Sequence, residues 1–284
     1  MIKILVCCHK RSFVPTDEIY QPIHVGKANT LDDYGFIGDN QGDNISQFNR
    51  LYCELTGLYW GWKHLNEDYI GLCHYRRYFS MRNKHFLKSS MVYCYKKICQ
   101  FKSFLKNEPS DAYFYTNRYT ISDELMMDKE CSEFSKQIVK YIKRHPNIDV
   151  FALKPVCLGA YNNFIYVSSV AGRCHLDIVS SIVKKQYPEI WECLDYTYKS
   201  NKLHYGNMII MKKSVFNDYC DFIFTVLQNH LKIIIESELY VTIDENSLNR
   251  LSGYLGELLT SAYVTYIKKT SSGKVKLLNM IQFS

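Results

Sequence analysis

The hydrophobic pattern of the chain alternates short apolar runs with longer stretches of helical spacing. Ile2 to Cys8 reads as a buried strand that stops at the polar pair His9-Lys10. A second short apolar segment at Gly35 to Gly38 leads into the turn-forming run Asp39 to Ser46, DNQGDNIS. Phe48, Leu51, Tyr52, Leu55, Leu58, Tyr59, Trp62 and Leu65 then recur every three or four residues. That spacing predicts one long amphipathic helix, with Asn44 or Ser46 as its N-cap.

Asp68 to Leu72 predicts a further strand, and it runs directly into the basic segment His74-Tyr75-Arg76-Arg77. From about Asn83 to Arg144 the pattern is helical and charged, and Asp149 to Leu153 returns to strand character. Met208 to Met211 predicts a strand introduced by His204-Tyr205-Gly206-Asn207. Ser214 to about Leu227 predicts a helix, and so does Leu248 to Ile267, mildly broken by Gly253 and Gly256. Lys274 to Ile281 is a closing strand or an extended tail. Strands alternating with helices specify an α/β sheet, in which ligands sit beyond the carboxyl ends of the strands. The polar clusters at His9-Lys10, Asp39 to Ser46 and His74 to Arg77 each follow a predicted strand.

Composition narrows the class of ligand. Of 284 residues, 47% are hydrophobic and 22% charged, so the chain can bury a core and is not a disordered tail. The formal charge of +7 favours a phosphate-bearing ligand or an anionic membrane surface. The basic residues are scattered and form no recognition motif, so nucleic acid is not an expected partner. The 24 tyrosines supply rings that fill cores or stack on sugars and bases. Eleven cysteines, an odd number without a C-x-x-C pair, argue against a disulfide framework or a structural zinc site. No run approaches the roughly 18 apolar residues of a membrane span, and no signal peptide is legible. A reduced, cytoplasmic protein is expected, at most peripheral on the inner face of the plasma membrane.

Phosphate chemistry points first to the segment after the third strand. Arg76 and Arg77 can offer permanent charge and forked donors to phosphate oxygens, or one can pair with a carboxylate while the other is solvated. His74 can donate to a phosphate or a hydroxyl, or serve structure. Asp39 and Asp43 suit ribose or sugar hydroxyls and equally suit turn capping. Lys27 can reach a phosphate. Many nucleotide-sugar enzymes hold a divalent cation with a D-x-D motif. This sequence has none, Asp128-Lys129-Glu130 in a charged, exposed-looking stretch being the nearest approach. No metal or other cofactor is therefore expected, the arginines taking the metal's place. A transfer to a hydroxyl also needs a base. Glu257 is a candidate, or a half-buried partner of Arg76 or Arg250, and Asp177 and Asp195 are further possibilities.

The ordered series IGDNQGDNIS, YCELTGLYWGWKH, DYIGLCHYRRYF, GNMIIMKKSVFNDYCDFIF and GYLGELL resembles a bacterial family of capsular and exopolysaccharide synthesis proteins, long known only as a domain of unknown function. The resemblance runs from Ile2 to about Lys268, and the family includes galactofuranosyltransferases of O-antigen assembly. It implies one GT-A-like glycosyltransferase domain over residues 1–284, a nucleotide-sugar-binding sheet flanked by helices with a helical C-terminal part. Residues 1–82 would form the donor-nucleotide part, and residues 83–284 the acceptor side and helical completion. It implies inverting transfer from UDP-galactofuranose to a lipid-linked oligosaccharide. UDP-galactopyranose or another nucleotide sugar is the alternative donor, and a non-catalytic sugar-binding role in a synthesis complex is the alternative function. It strengthens His74, Arg76, Arg77, Asp39, Asp43, Asn44 and Asn207 as site residues. Together with the chemistry above, His74, Arg76, Arg77 and Glu257 form the catalytic set, and His9, Lys27, Asp39, Asp43, Asn44 and Asn207 the donor-binding set.

Overall fold

The computed structural model describes residues 1–82, 98, 118–158, 161–237, 248–270 and 274–284. Parallel strands β1 (Ile2–Cys8), β2 (Tyr20–His24), β3 (Ile37–Gly38) and β4 (Tyr69–His74) form one side of a nine-stranded sheet in the order β3-β2-β1-β4. Beyond β4 the direction reverses. β10 (Ile209–Lys212) lies antiparallel to both β4 and β7 (Val150–Leu153), and β7 is parallel to the first half of β11 (Val275–Phe283). The second half of β11 pairs with β5 (Arg77–Ser80) and β6 (Arg118–Ile121), and β5 returns to β4 through the pair His74 and Arg77. A separate ribbon joins β8 (Val156–Cys157) to β9 (Lys202–Leu203).

Strands that form the middle of a covered sheet must be apolar on both faces. In β1, Leu5 and Cys7 face one core while Ile4, Val6 and Cys8 face the other. The second core is closed by α3 (Glu124–Arg144), whose Met127, Cys131, Phe134 and Ile138 recur at helical spacing and are buried. The first core lies under α1 (Asn49–Tyr52), α2 (Leu55–His64), α4 (Asn163–Ala171), α5 (Arg173–Gln186), α6 (Pro188–Lys199), α7 (Lys213–Glu236) and α8 (Leu251–Thr270). The architecture is thus mixed α/β, a sheet between helical layers, as its apolar runs predict.

Several elements depart from the sequence reading. The expected helix over Phe48 to Leu65 is broken, because Cys53 adopts φ 51 and separates α1 from α2. Neither Asn44 nor Ser46 caps it. Ser46 donates its hydroxyl to Asp39, and Asn44 accepts from the Ser46 amide at 3.1 Å. The expected break at Gly253 and Gly256 is absent: α8 is continuous, and its glycines let Cys53 and Asn207 approach closely. α7 runs on to Glu236, with His230 and Ile234 buried.

Strand β2 was illegible because it contains Pro22. The bonds Ile4 N–H to Ile19 O and Val25 N–H to Cys8 O make the odd-numbered residues of β2 the ones that face β1. Pro22 therefore turns its missing donor to the other side, where β3 pairs only with Ile23 and His24. Asp128 and Glu130 are not free surface charges. Asp128 accepts from the Thr16 amide and hydroxyl, and buried Glu130 pairs with Arg82 at 3.2 Å. Most of the helical stretch expected between Asn83 and Arg144 lies outside the described residues.

Candidate active site

A cavity of about 320 Å³ opens at the carboxyl ends of β1 and β4, the position where open α/β sheets bind ligands. His9 follows β1, and His74 ends β4. Tyr75 and Arg76 form the two-residue turn into β5, and Arg77 is the first residue of that strand. The basic pair thus straddles the end of a tight turn, with Arg76 in the turn and Arg77 in β5. This lets both arginines line the cavity although neighbours in a strand point oppositely. Arg77 lies with its guanidinium 5.0 Å from the Tyr205 ring, and Arg76 lies 5.1 Å from the ring of Tyr75, which meets His9 edge-on. Arg250, just before α8, adds a third guanidinium.

Two carboxyl groups face these cations. Glu257 is buried in α8, and one of its oxygens accepts the Gly206 N–H at 2.7 Å. Burial, and next the charge of Glu54, push its carboxyl up to about 8, against the pull of that hydrogen bond, Arg77 and Arg250. Glu257 is therefore mostly protonated at neutral pH. His74 donates from Nε2 to the Gly206 carbonyl at 2.7 Å, since that oxygen can only accept. Burial lowers the His74 pKa, so the ring is neutral and grips the turn from the other side. Burial also lowers the pKa of His9, with Lys10 and Arg76 adding to the effect.

Glu54 is the second carboxylate, and a directed chain of hydrogen bonds orients it. Tyr219 and Thr260 share a hydroxyl bond of 2.7 Å, Thr260 donates to Asn207 Oδ1 at 3.1 Å, and Asn207 Nδ2 donates to Glu54 Oε1 at 2.8 Å. Asn207 Nδ2 also reaches the Gly253 carbonyl at 3.2 Å, so acceptors on both sides fix which end of the amide is nitrogen. The break in the helix puts Glu54 there. Its kink is held by the Cys53 carbonyl, which accepts from Asn49 Nδ2 and from the Thr56 amide and hydroxyl.

Backbone strain gathers at the same place. Among the described residues, the non-glycine positions of positive φ are Cys53, Asn207 and Arg250, and all three belong to the cavity wall or the residue directly behind it. Such conformations cost about 1–3 kcal/mol each and persist where the surroundings impose them.

Of the residues expected from the sequence, His9, His74, Arg76, Arg77 and Glu257 come together in the cavity. Asn207 is fully buried behind Glu54. Asp39, Asp43, Asn44 and Lys27 line no part of the cavity. Asp39 is fully buried and saturated by the Gly26 and Lys27 amides and the Ser46 hydroxyl. Asp43 accepts from Tyr59 at 3.1 Å and pairs with Lys63, Asn44 closes a turn on the Gly42 carbonyl, and Lys27 donates to the Asp32 carbonyl. Glu54, Tyr205 and Arg250 are site residues that the sequence reading did not select. Glu54 stands within the YCELT motif, and only the Cys53 kink brings it to the cavity. Asp177 and Asp195 lie elsewhere, on α5 and α6.

Fold and site together define an α/β protein whose cavity at the strand ends gathers three guanidinium groups against two carboxyls, a class suited to a ligand that bears phosphate and hydroxyl groups. The chain belongs to the family described as a domain of unknown function, DUF4422, whose profile matches residues 3–269. Among solved structures it is similar to the apo structure of WbbM, a bifunctional glycosyltransferase, with 26% identity and a TM-score of 0.80. The match covers all of this chain and 45% of the WbbM chain, so the chain spans less than half of that protein. A comparison with curated protein sequences gives no match. Among the described residues no helix is long and apolar enough to cross a membrane.

Proposed function

We propose that the chain is a glycosyltransferase that moves a sugar from a nucleotide diphosphate to an acceptor hydroxyl within the cavity at the ends of β1 and β4. The observation that carries this reading is the convergence of Arg76, Arg77 and Arg250 with Glu54 and Glu257 in one pocket. The leaving diphosphate gains charge as the glycosidic bond breaks, and forked guanidinium donors match its oxygens. The acceptor oxygen attacks the anomeric carbon from the opposite side and the electron pair of the broken bond leaves with the diphosphate. The proton of the hydroxyl passes to Glu54, which Asn207 holds in place. Glu257, neutral at pH 7, keeps the Gly206 turn in position and has no capacity to accept a proton in that state. Attack from the opposite side inverts the anomeric configuration.

The GT-A-like reading is supported by the parallel β3-β2-β1-β4 unit followed by antiparallel β10. The donor is held by the 1–82 part with Arg250 added from the C-terminal part, and the acceptor enters from the helical side. UDP-galactofuranose as donor and a lipid-linked oligosaccharide as acceptor follow from the family resemblance, as do a role in bacterial surface polysaccharide synthesis and work beside the inner membrane. The test is incubation of the pure protein with a panel of nucleotide sugars and a lipid-mimetic acceptor, with product linkage determined by NMR. A galactofuranosyl product of inverted configuration is expected. Product from another nucleotide sugar alone would overturn the donor, and absence of any product across the panel would overturn the transferase reading.

A further inference from the structure

Away from the cleft, α4, α5 and α6 enclose a second hollow of about 600 Å³. Its wall carries the rings of Phe164, Trp191 and Tyr198 beside the charged groups of Asp177, Asp195 and Lys184. Phe164 meets Tyr198 edge-on at 5.4 Å, and the Tyr198 hydroxyl is already engaged by Ser180 and the Leu176 carbonyl. Trp191 is half-buried against the core, with Lys184 Nζ 4.2 Å from its ring centroid. Asp177 and Asp195 are 63% and 38% exposed, each paired along its own helix, with Arg173 at 3.8 Å and Lys199 at 2.5 Å. Surface pairs of this kind contribute little stability, so their oxygens are open to a ligand.

The chemistry of the wall selects its occupant. The two carboxylates and the two lysines of the wall, Lys184 and Lys199, balance in charge and so select no ion, and an apolar ligand would strip water from all four groups without replacing it. A neutral sugar fits both halves of the surface. Its hydroxyls donate to the aspartates and accept from the lysines, while its C–H face lies on an indole or phenyl ring. We infer that this hollow is a saccharide-binding groove for neutral hexose residues of a glycan chain. α4 links it to the cleft, since it supplies Phe164 to the groove and packs against α8, the helix that carries Glu257. A chain bound in the groove can therefore run along α4 towards the transfer site. Naming that chain as the acceptor rests on the glycosyltransferase reading. Saccharide binding itself does not.

The experiment is isothermal titration of the intact protein with neutral galactan and glucan tetrasaccharides, with tetragalacturonate as the anionic counter-probe. At least one neutral tetrasaccharide should bind saturably and better than the anionic one, and Trp191→Ala should weaken it about tenfold. Asp177→Ala should weaken it severalfold, and at an exposed carboxylate it leaves the core intact when Trp191→Ala disturbs it. A thermal shift given by UDP should be the same in the wild type and Asp177→Ala. No saturable binding of either neutral tetrasaccharide at about 10 mM would overturn the groove, as would binding unaffected by both substitutions or preference for tetragalacturonate. A tetrasaccharide that binds while UDP gives no shift leaves the groove standing and removes the donor reading, so the two failures are distinct.

Discussion

Replacing Glu257 by Gln should stabilise the protein at alkaline pH and leave it unchanged at acid pH. In the folded chain the carboxyl is held up at about 8, against an ordinary value near 4.5, by burial and by Glu54. A carboxyl raised in this way binds its proton in the folded state over a range where the unfolded chain has released it. Stability is thus complete below pH 4.5 and is lost as pH rises to about 8. Each pH unit in that window is worth about 1.4 kcal/mol, which places the total at about 5 kcal/mol. Glutamine keeps the oxygen that accepts the Gly206 N–H and has no proton to lose. For a domain of this size the difference corresponds to roughly 10 °C in Tm. The assay is a series of thermal melts of wild type and variant from pH 5 to pH 8.5 in matched salt, read as the difference between the two curves. All other titrating groups are common to both proteins and cancel. The difference should grow with pH in favour of the variant. A constant gap, or a wild type more stable than the variant at pH 8, would refute the neutral buried carboxyl.

Arg77→Ala and Arg77→Lys should each lower transfer by about 10²–10³-fold with the circular dichroism spectrum unchanged, because lysine keeps charge but not the planar fork. Wild-type turnover in both would remove Arg77 from the mechanism. UDP should raise Tm, by the equivalent of about 2.7 kcal/mol at a hundredfold excess over its Kd, and GDP or dTDP should do less. No shift with UDP alongside a clear one with another nucleotide would contradict the donor class. Asn207→Gly retains the positive φ but removes the amide that orients Glu54, so kcat should fall about tenfold or more with donor KM unchanged. A loss confined to KM would place Asn207 in donor binding instead. Transfer should survive exhaustive chelation, the arginines supplying the stabilisation that a metal gives elsewhere. Loss on chelation with recovery on adding manganese or magnesium would refute this.

The parts of the fold that were legible share one physical feature. β1, β4 and β10 are buried on both faces over most of their length and so appear as near-continuous apolar runs, and α8 repeats buried apolar residues such as Leu251, Leu255, Leu258, Leu259 and Ala262 at helical spacing. Strands without such a run were not legible. β2 contains a proline that turns its missing donor towards β3, which pairs only with Ile23 and His24, and β5 begins with an arginine that belongs to the cavity. The site was half visible. The HYRR segment announced itself because a strand delivers it to the sheet's ligand-binding edge. Glu54 did not, because its placement depends on a kink at Cys53 that has no glycine or proline to mark it. The polar DNQGDNIS turn misled for the opposite reason. Buried Asp39 uses its carboxylate to hold two loops together, and composition cannot distinguish a saturated carboxylate from a free one.

Transfer in the cleft runs through Glu54 if its carboxylate is the base. The direct measurement is product formation, by mass spectrometry, for wild type and Glu54→Gln with a saturating nucleotide sugar and a lipid-mimetic acceptor, alongside UDP binding by each protein. Glu54→Gln should bind UDP as the wild type does and form product at least about a hundredfold more slowly. Glu54→Gln turning over at the wild-type rate would contradict Glu54 as the base.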